Sequence, residues 1–160
     1  MRYYWDFLKH FLTSNSRHGT HSPFVYGLAD QVIYRHIHMT TLKTSVPDGF
    51  APVYFPLLQD MLAYLSIEEL VTFDADTDAP SLLVLDLNSV STDDIMMTLC
   101  AGKTIIVHEP FKTRQSKRIW EKLIQETAVV VSIDLFHFGL LFYREGQQKE
   151  NFKLRYPFWR

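Results

Sequence analysis

Cys100 is the single cysteine among 160 residues, so no internal disulfide can form. Its neighbours Met96, Met97 and Leu99 are apolar, which predicts a buried, reduced thiol and hence a cytoplasmic compartment. No apolar run approaches the roughly 18 residues of a membrane-spanning helix, which argues against a membrane partner. The opening MRYYWD carries an early acid and is followed by Lys9 and His10, unlike a secretory leader. Glycine is scarce: of six, no two lie at G-x-G spacing, so the chain lacks a glycine-rich nucleotide loop. Residues 46–100 hold no Lys or Arg at all. Repeats and low-complexity tracts are absent.

What remains is ordinary globular material. Apolar residues make up 47% and charged residues 21%, which excludes a disordered chain. The length suits a single domain, able to bury roughly 70% of its unfolded surface. Charge is segregated: five bases and two acids in residues 1–45, ten acids in 46–100, eleven bases and six acids in 101–160. A basic C-terminal region suggests an anionic partner such as nucleic acid. Glu121, Glu126, Asp134, Glu145 and Glu150 are interleaved with those bases, however, so two opposed faces of one fold are preferred and nucleic-acid binding is disfavoured.

Hydrophobic spacing predicts the elements. Residues 3–12 read as an amphipathic helix with Tyr4, Phe7, Leu8 and Phe11 on its buried face. Ser22-Pro23 opens a second helix that ends near His36 to His38, and residues 55–65 form a third. Residues 70–73 form a weak strand. Residues 81–87 (SLLVLDL) and 104–107 (TIIV) are continuous apolar runs, as buried parallel strands require. Ser91-Thr92-Asp93-Asp94 starts a short helix between them, and residues 113–126 form a charged amphipathic one. Residues 129–135 and 139–143 are strands separated by only Phe136-His137-Phe138, too few for a crossover, so they pair antiparallel. The pattern predicts an open α/β sheet, mostly parallel, with N-terminal helices and an antiparallel C-terminal hairpin as its far edge.

Three stretches point to one family. Residues 17–26 (RHGTHSPFVY) resemble the RHGxHSPFVF-type opening of a group of bacterial class I SAM-dependent methyltransferases. Residues 133–144 (IDLFHFGLLFYR) resemble that group's closing hairpin, and 149–156 (KENFKLRY) its tail. Residues 83–86 and 105–109 are similar to its fourth and fifth strands, and Trp120-Glu121 matches a Trp-Glu in the following helix. The likeness covers residues 1–36 and 80–156. It divides the single domain into an N-terminal helical segment, 1–38, and a methyltransferase-like half, 80–156.

The resemblance implies a Rossmann-like fold with SAM at the carboxyl ends of the first strands, against a glycine-rich turn and a ribose-binding acid. The missing strands and helices would need on the order of 60 residues. Between His38 and Ser81 there is no room for them, so the sheet should be a truncated Rossmann-like one. Where the family resembles I-D-G-N-H after its fourth strand, this chain reads Leu85-Asp86-Leu87-Asn88-Ser89. Where it resembles F-D-D-I-H after its fifth, this chain reads Val107-His108-Glu109-Pro110-Phe111.

Two groups of polar residues are candidates for ligand binding. His18 and His21 flank Gly19 in a polar loop at a spacing that would let both face one ligand. Hydrogen bonds to the start of the second helix and nearby backbone are the preferred reading, and no cysteine lies near enough for a zinc site. Asp86, Asn88, His108 and Glu109 should meet at the carboxyl ends of adjacent strands, where open α/β sheets bind ligands; turn capping is the plainer reading. No metal and no cofactor is expected, with SAM the cofactor if the family function is retained. Aromatic residues gather at both ends of the chain, either packing the termini together or forming a partner or homodimer surface. The expectation is a methyltransferase relative that has lost its cofactor and acts as a non-catalytic interaction module. The alternative is an active methyltransferase, or another small-ligand enzyme, using the Asp86/Glu109 edge.

Overall fold

The computed structural model describes residues 1–14, 22–34, 44–74 and 76–156. Helix α1 spans Arg2–Thr13. Helix α2, Pro23–Leu28, begins with proline in its first turn, where the missing N–H costs nothing, and widens into a π-helical turn over Ala29–Ile33. A 3-10 turn, Pro52–Tyr54, leads into α3, Phe55–Tyr64. Then follow β1 (Val71–Thr72), β2 (Ser81–Val84), α4 (Thr92–Cys100), β3 (Thr104–His108), α5 (Arg114–Leu123), β4 (Val131–Asp134), β5 (Phe138–Phe142) and β6 (Glu150–Lys153). Ser91 caps α4 by accepting from the Asp93 N–H, and Thr113 with Ser116 forms a reciprocal capping box on α5.

The six strands make one sheet in the order β1-β2-β3-β5-β4-β6. Five run in one direction and β5 runs against them, pairing antiparallel with both β3 and β4. Every side chain of β2, β4 and β5 is buried, the signature of strands covered on both faces. On one face Leu83, Ile106, Ile133 and Leu140 pack under α2, its π turn and α3; on the other, Val84, Ile105, Val107 and Leu141 pack under α4 and α5. The result is an α/β, Rossmann-like open sheet with helices on both sides.

Four expectations are corrected. The hairpin is not the far edge, because β5 inserts between β3 and β4, and β6 covers the outer side of β4. Cys100 is exposed: α4 turns Ile95, Thr98 and Leu99 inward, which leaves its last residue and Met97 on the solvent side. The strand expected over 81–87 stops at Val84, since Asp86 turns the chain. Finally, α1 is rotated from its predicted face, with Tyr4 and Leu8 exposed and Asp6 and His10 buried.

The cause of that rotation is where α1 lies. It crosses the carboxyl ends of the strands, with Tyr3 at the end of β3, His10 at the end of β4, and Thr13 beside Lys153 at the end of β6. Carboxylates and carbonyls emerge along that edge and are met by Tyr3 and His10, and by Arg2, which donates to the Phe111 and Lys112 carbonyls; Asp6 accepts from Lys117, and the Ser14 hydroxyl lies against His10. Arg155, just after β6, lies over the Phe11 ring at 4.3 Å and donates to the Ser14 carbonyl, while Phe158 and Trp159 lie outside the described residues.

Candidate functional site at the carboxyl edge of the sheet

β2 and β3 are adjacent and parallel, so the residues that follow them emerge side by side. Asp86, Asn88, His108 and Glu109 line one cavity of about 110 Å³, with Lys112 and Ser116 at its other wall. Within it Asp86 serves the turn. Its Oδ1 accepts from the Asn88 backbone N–H at 2.9 Å and from Asn88 Nδ2 at 2.7 Å. Both side chains are exposed, so this pair is an Asx turn open to solvent.

Glu109 has a different setting. Its backbone is left-handed, with φ of 47°, and its N–H donates to the His137 carbonyl at 2.7 Å. His137 arrives from the tight loop between β4 and β5, where Phe136 is also left-handed with φ of 71°. The register that pairs His108 with Phe138 places His137 beside Glu109. Tyr3 of α1 completes the group, its hydroxyl donating to Glu109 Oε2 at 2.7 Å and standing 2.9 Å from His137 Nδ1. With that single phenolic proton committed to the carboxylate, Nδ1 of His137 is the donor, shared between the phenol oxygen and Glu109 Oε1 at 3.2 Å. Tyr54 stacks on the His137 ring with centroids 4.2 Å apart.

The charges follow from these contacts. Burial pushes the Glu109 carboxyl up, but hydrogen bonds from His137 and Tyr3 and the nearby imidazoles outweigh it and hold the group below its ordinary value of 4.5. Burial, then the Glu109 contact, drives the Tyr3 hydroxyl far above its ordinary value. The Tyr54 hydroxyl is pushed up to about 12, by burial and then by the Glu109 charge. His108 moves down, because burial disfavours its cation more than Glu109 favours it. Its Nε2 accepts from the Ala51 N–H at 3.2 Å, so the proton sits on Nδ1, against the Leu85 carbonyl. Chemically this is an ionised Glu109 carboxylate, a neutral His108 imidazole and a Tyr3 phenol that keeps its proton.

The cavity at this edge is small. Ligand-sized pockets run from about 300 to 1,000 Å³, against about 110 Å³ here. Glu109 accepts from two donors, Tyr3 and His137, and residues 73–80, which follow β1, contain no glycine. Tyr3, Tyr54 and His137 carry the site and were not singled out from the sequence. His18 and His21 lie outside the described residues. Among the described residues, no group of three His, Cys, Asp or Glu could hold a metal ion. No protein-family model, curated protein or solved structure matches the chain.

Proposed function

We propose that this chain is a methyltransferase-related protein that does not use SAM and acts as a non-catalytic interaction module. One observation carries the reading: α1 lies across the strand ends and commits Tyr3 to Glu109, on the edge where a Rossmann-like sheet would receive its ligand. The small cavity and the glycine-free exit from β1 support it. The outer side of the same helix presents Tyr4, Trp5, Leu8 and Leu12 to solvent, a surface suited to association. Calorimetric titration with SAM and with its demethylated product tests the cofactor part. The expected result is no heat and no thermal stabilisation at millimolar ligand, whereas one-site micromolar binding overturns it.

One feature favours a second reading, in which a small ligand is processed at the Asp86/Glu109 edge. Left-handed non-glycine residues are strained and gather at working sites, and Glu109 is one. That reading requires Asp86→Ala and Glu109→Ala to abolish ligand binding in a domain that stays folded. Unchanged binding in both variants would remove it.

A further inference from the structure

At 3.6 residues per turn, Met1, Tyr4, Trp5, Leu8 and Leu12 fall within an arc of about 100° on one side of α1. Tyr4 is 76% exposed, Trp5 69%, Leu12 68% and Leu8 46%. The opposite side carries Tyr3, Asp6, His10 and Ser14 and faces the sheet edge. Ordinary surface helices are arranged the other way, with the apolar stripe against the core. Elsewhere among the described residues, large exposed apolar side chains occur singly, as at Val53, Met97 and Tyr143. The stripe is therefore concentrated, and it belongs to the one helix whose polar face is already engaged.

Charge identifies what would cover it. The only acid on α1 is Asp6, which is buried between Arg2 at 2.9 Å and Lys117 at 2.6 Å. The helix thus shows no exposed acid beside the stripe. Lys9 is exposed on its flank, and Lys153, bonded to Thr13, lies close enough to Lys9 and Lys117 to feel both charges. Glu121 is the one exposed acid acting on that group. A twofold dimer through the stripe would set this cationic strip against its own copy. An anionic surface would instead be attracted. Tyrosine and tryptophan with leucine on one side and cations at the margin is the composition of a helix lying in a lipid interface. No helix among the described residues is long and apolar enough to cross a membrane, and an interfacial helix needs no such length.

We propose that α1 docks onto an anionic lipid surface, with Tyr4, Trp5, Leu8 and Leu12 entering the headgroup region and the flanking Lys9 and Lys153 drawn to lipid phosphates. This deepens the interaction-module reading by naming the partner. Binding weakens with added salt, as each exposed cation contributes only within about a Debye length of the surface.

The test is co-sedimentation of the full chain with vesicles of phosphatidylcholine alone and of phosphatidylcholine mixed with phosphatidylglycerol. Binding to the mixed vesicles only, falling at least tenfold in Trp5→Ser/Leu8→Ser and in Lys9→Glu, is the expected result. Far-UV circular dichroism verifies that these variants keep their fold, and Met97→Ser, at an exposed site on α4, leaves binding unchanged. Failure to bind the anionic vesicles overturns the proposal, as does binding indifferent to Trp5 and Leu8. A lipid-free dimer seen by light scattering and dissociated by the same substitutions also overturns it, in favour of a second copy. Binding of SAM together with vesicles would remove the module reading and leave this one standing. Binding of neither would do the reverse.

Discussion

The indole of Trp120 occupies the space that a β-carbon on Gly139 would need: such an atom would lie 2.7 Å from Cζ2 and 3.2 Å from the Ile133 carbonyl oxygen. Trp120 is fully buried, and its Nε1 donates to Asp134 Oδ2 at 3.3 Å. Neither the ring nor the strand can give way cheaply. Gly139→Ala should therefore destabilise the domain by about 1–3 kcal/mol through overpacking. Urea unfolding would show a lowered midpoint at unchanged slope, and an unaltered midpoint would mean that the α5–β5 contact is softer than its geometry.

Cys100 provides a direct check on the orientation of α4. Because it is exposed, a maleimide should label it in the folded protein as quickly as in denaturant. Labelling only after unfolding would place α4 with its other side outward.

The sheet was legible because its strands announce themselves. SLLV and TIIV are continuous apolar runs, and a three-residue link forces β4 and β5 to pair antiparallel. The start of α4 was equally visible in Ser91, whose side chain does the capping, while the cap that Thr113 and Ser116 make on α5 was not read from the sequence. β6 was not read as a strand, since ENFK buries only Phe152 and its strand form comes from pairing with β4. The face of α1 was misread because apolar residues lie on both of its sides. The deciding signal, Tyr3, Asp6, His10 and Ser14 at helical spacing, has meaning only once Glu109 and Asp134 are known to wait beneath. The site was half legible for a similar reason. Asp86, Asn88, His108 and Glu109 follow from two neighbouring strands, whereas His137 reaches Glu109 because β5 inserts next to β3, and Tyr3 because α1 crosses the strand ends.

His10 and Asp134 form the second polar anchor of α1, with Nε2 and Oδ1 2.9 Å apart and both residues buried. Asp134 Oδ1 also accepts from the Phe136 N–H at 2.9 Å, and the Ser14 hydroxyl lies 2.9 Å from His10 Nδ1. Asp134→Ala strips three donors of their acceptor at once. It should cost about 3–5 kcal/mol, as breaking a buried pair does. His10→Ala leaves Asp134 with its other two donors and should cost less. The double variant should fall well short of the sum of the two, with a coupling of about 1 kcal/mol or more. Strict additivity in thermal or urea unfolding would mean that the two side chains do not hold α1 together.

Glu109 and His108 together set the acid side of the stability curve. The folded pKa of Glu109 lies below its ordinary 4.5, so its contribution is complete above that pH and is lost as pH falls through the folded value. The folded pKa of His108 also lies below its ordinary 6.5; the unfolded chain takes up that proton first, so stability begins to decline as pH drops below about 6.5. Two separate declines are expected in the thermal midpoint measured against pH. His108→Gln should flatten the upper one and leave the lower one in place. Tyr3→Phe should act on the lower one, because removing the phenol's hydrogen bond moves the Glu109 carboxyl back up towards 4.5. The same change should cost about 1.5–3 kcal/mol at neutral pH, the usual range for a hydrogen bond to a charged group. Carboxyl-carbon NMR titration of Glu109 measures the shift directly. An unmoved titration in Tyr3→Phe would mean that His137 alone holds the carboxylate, and that α1 can leave the strand edge without the site noticing.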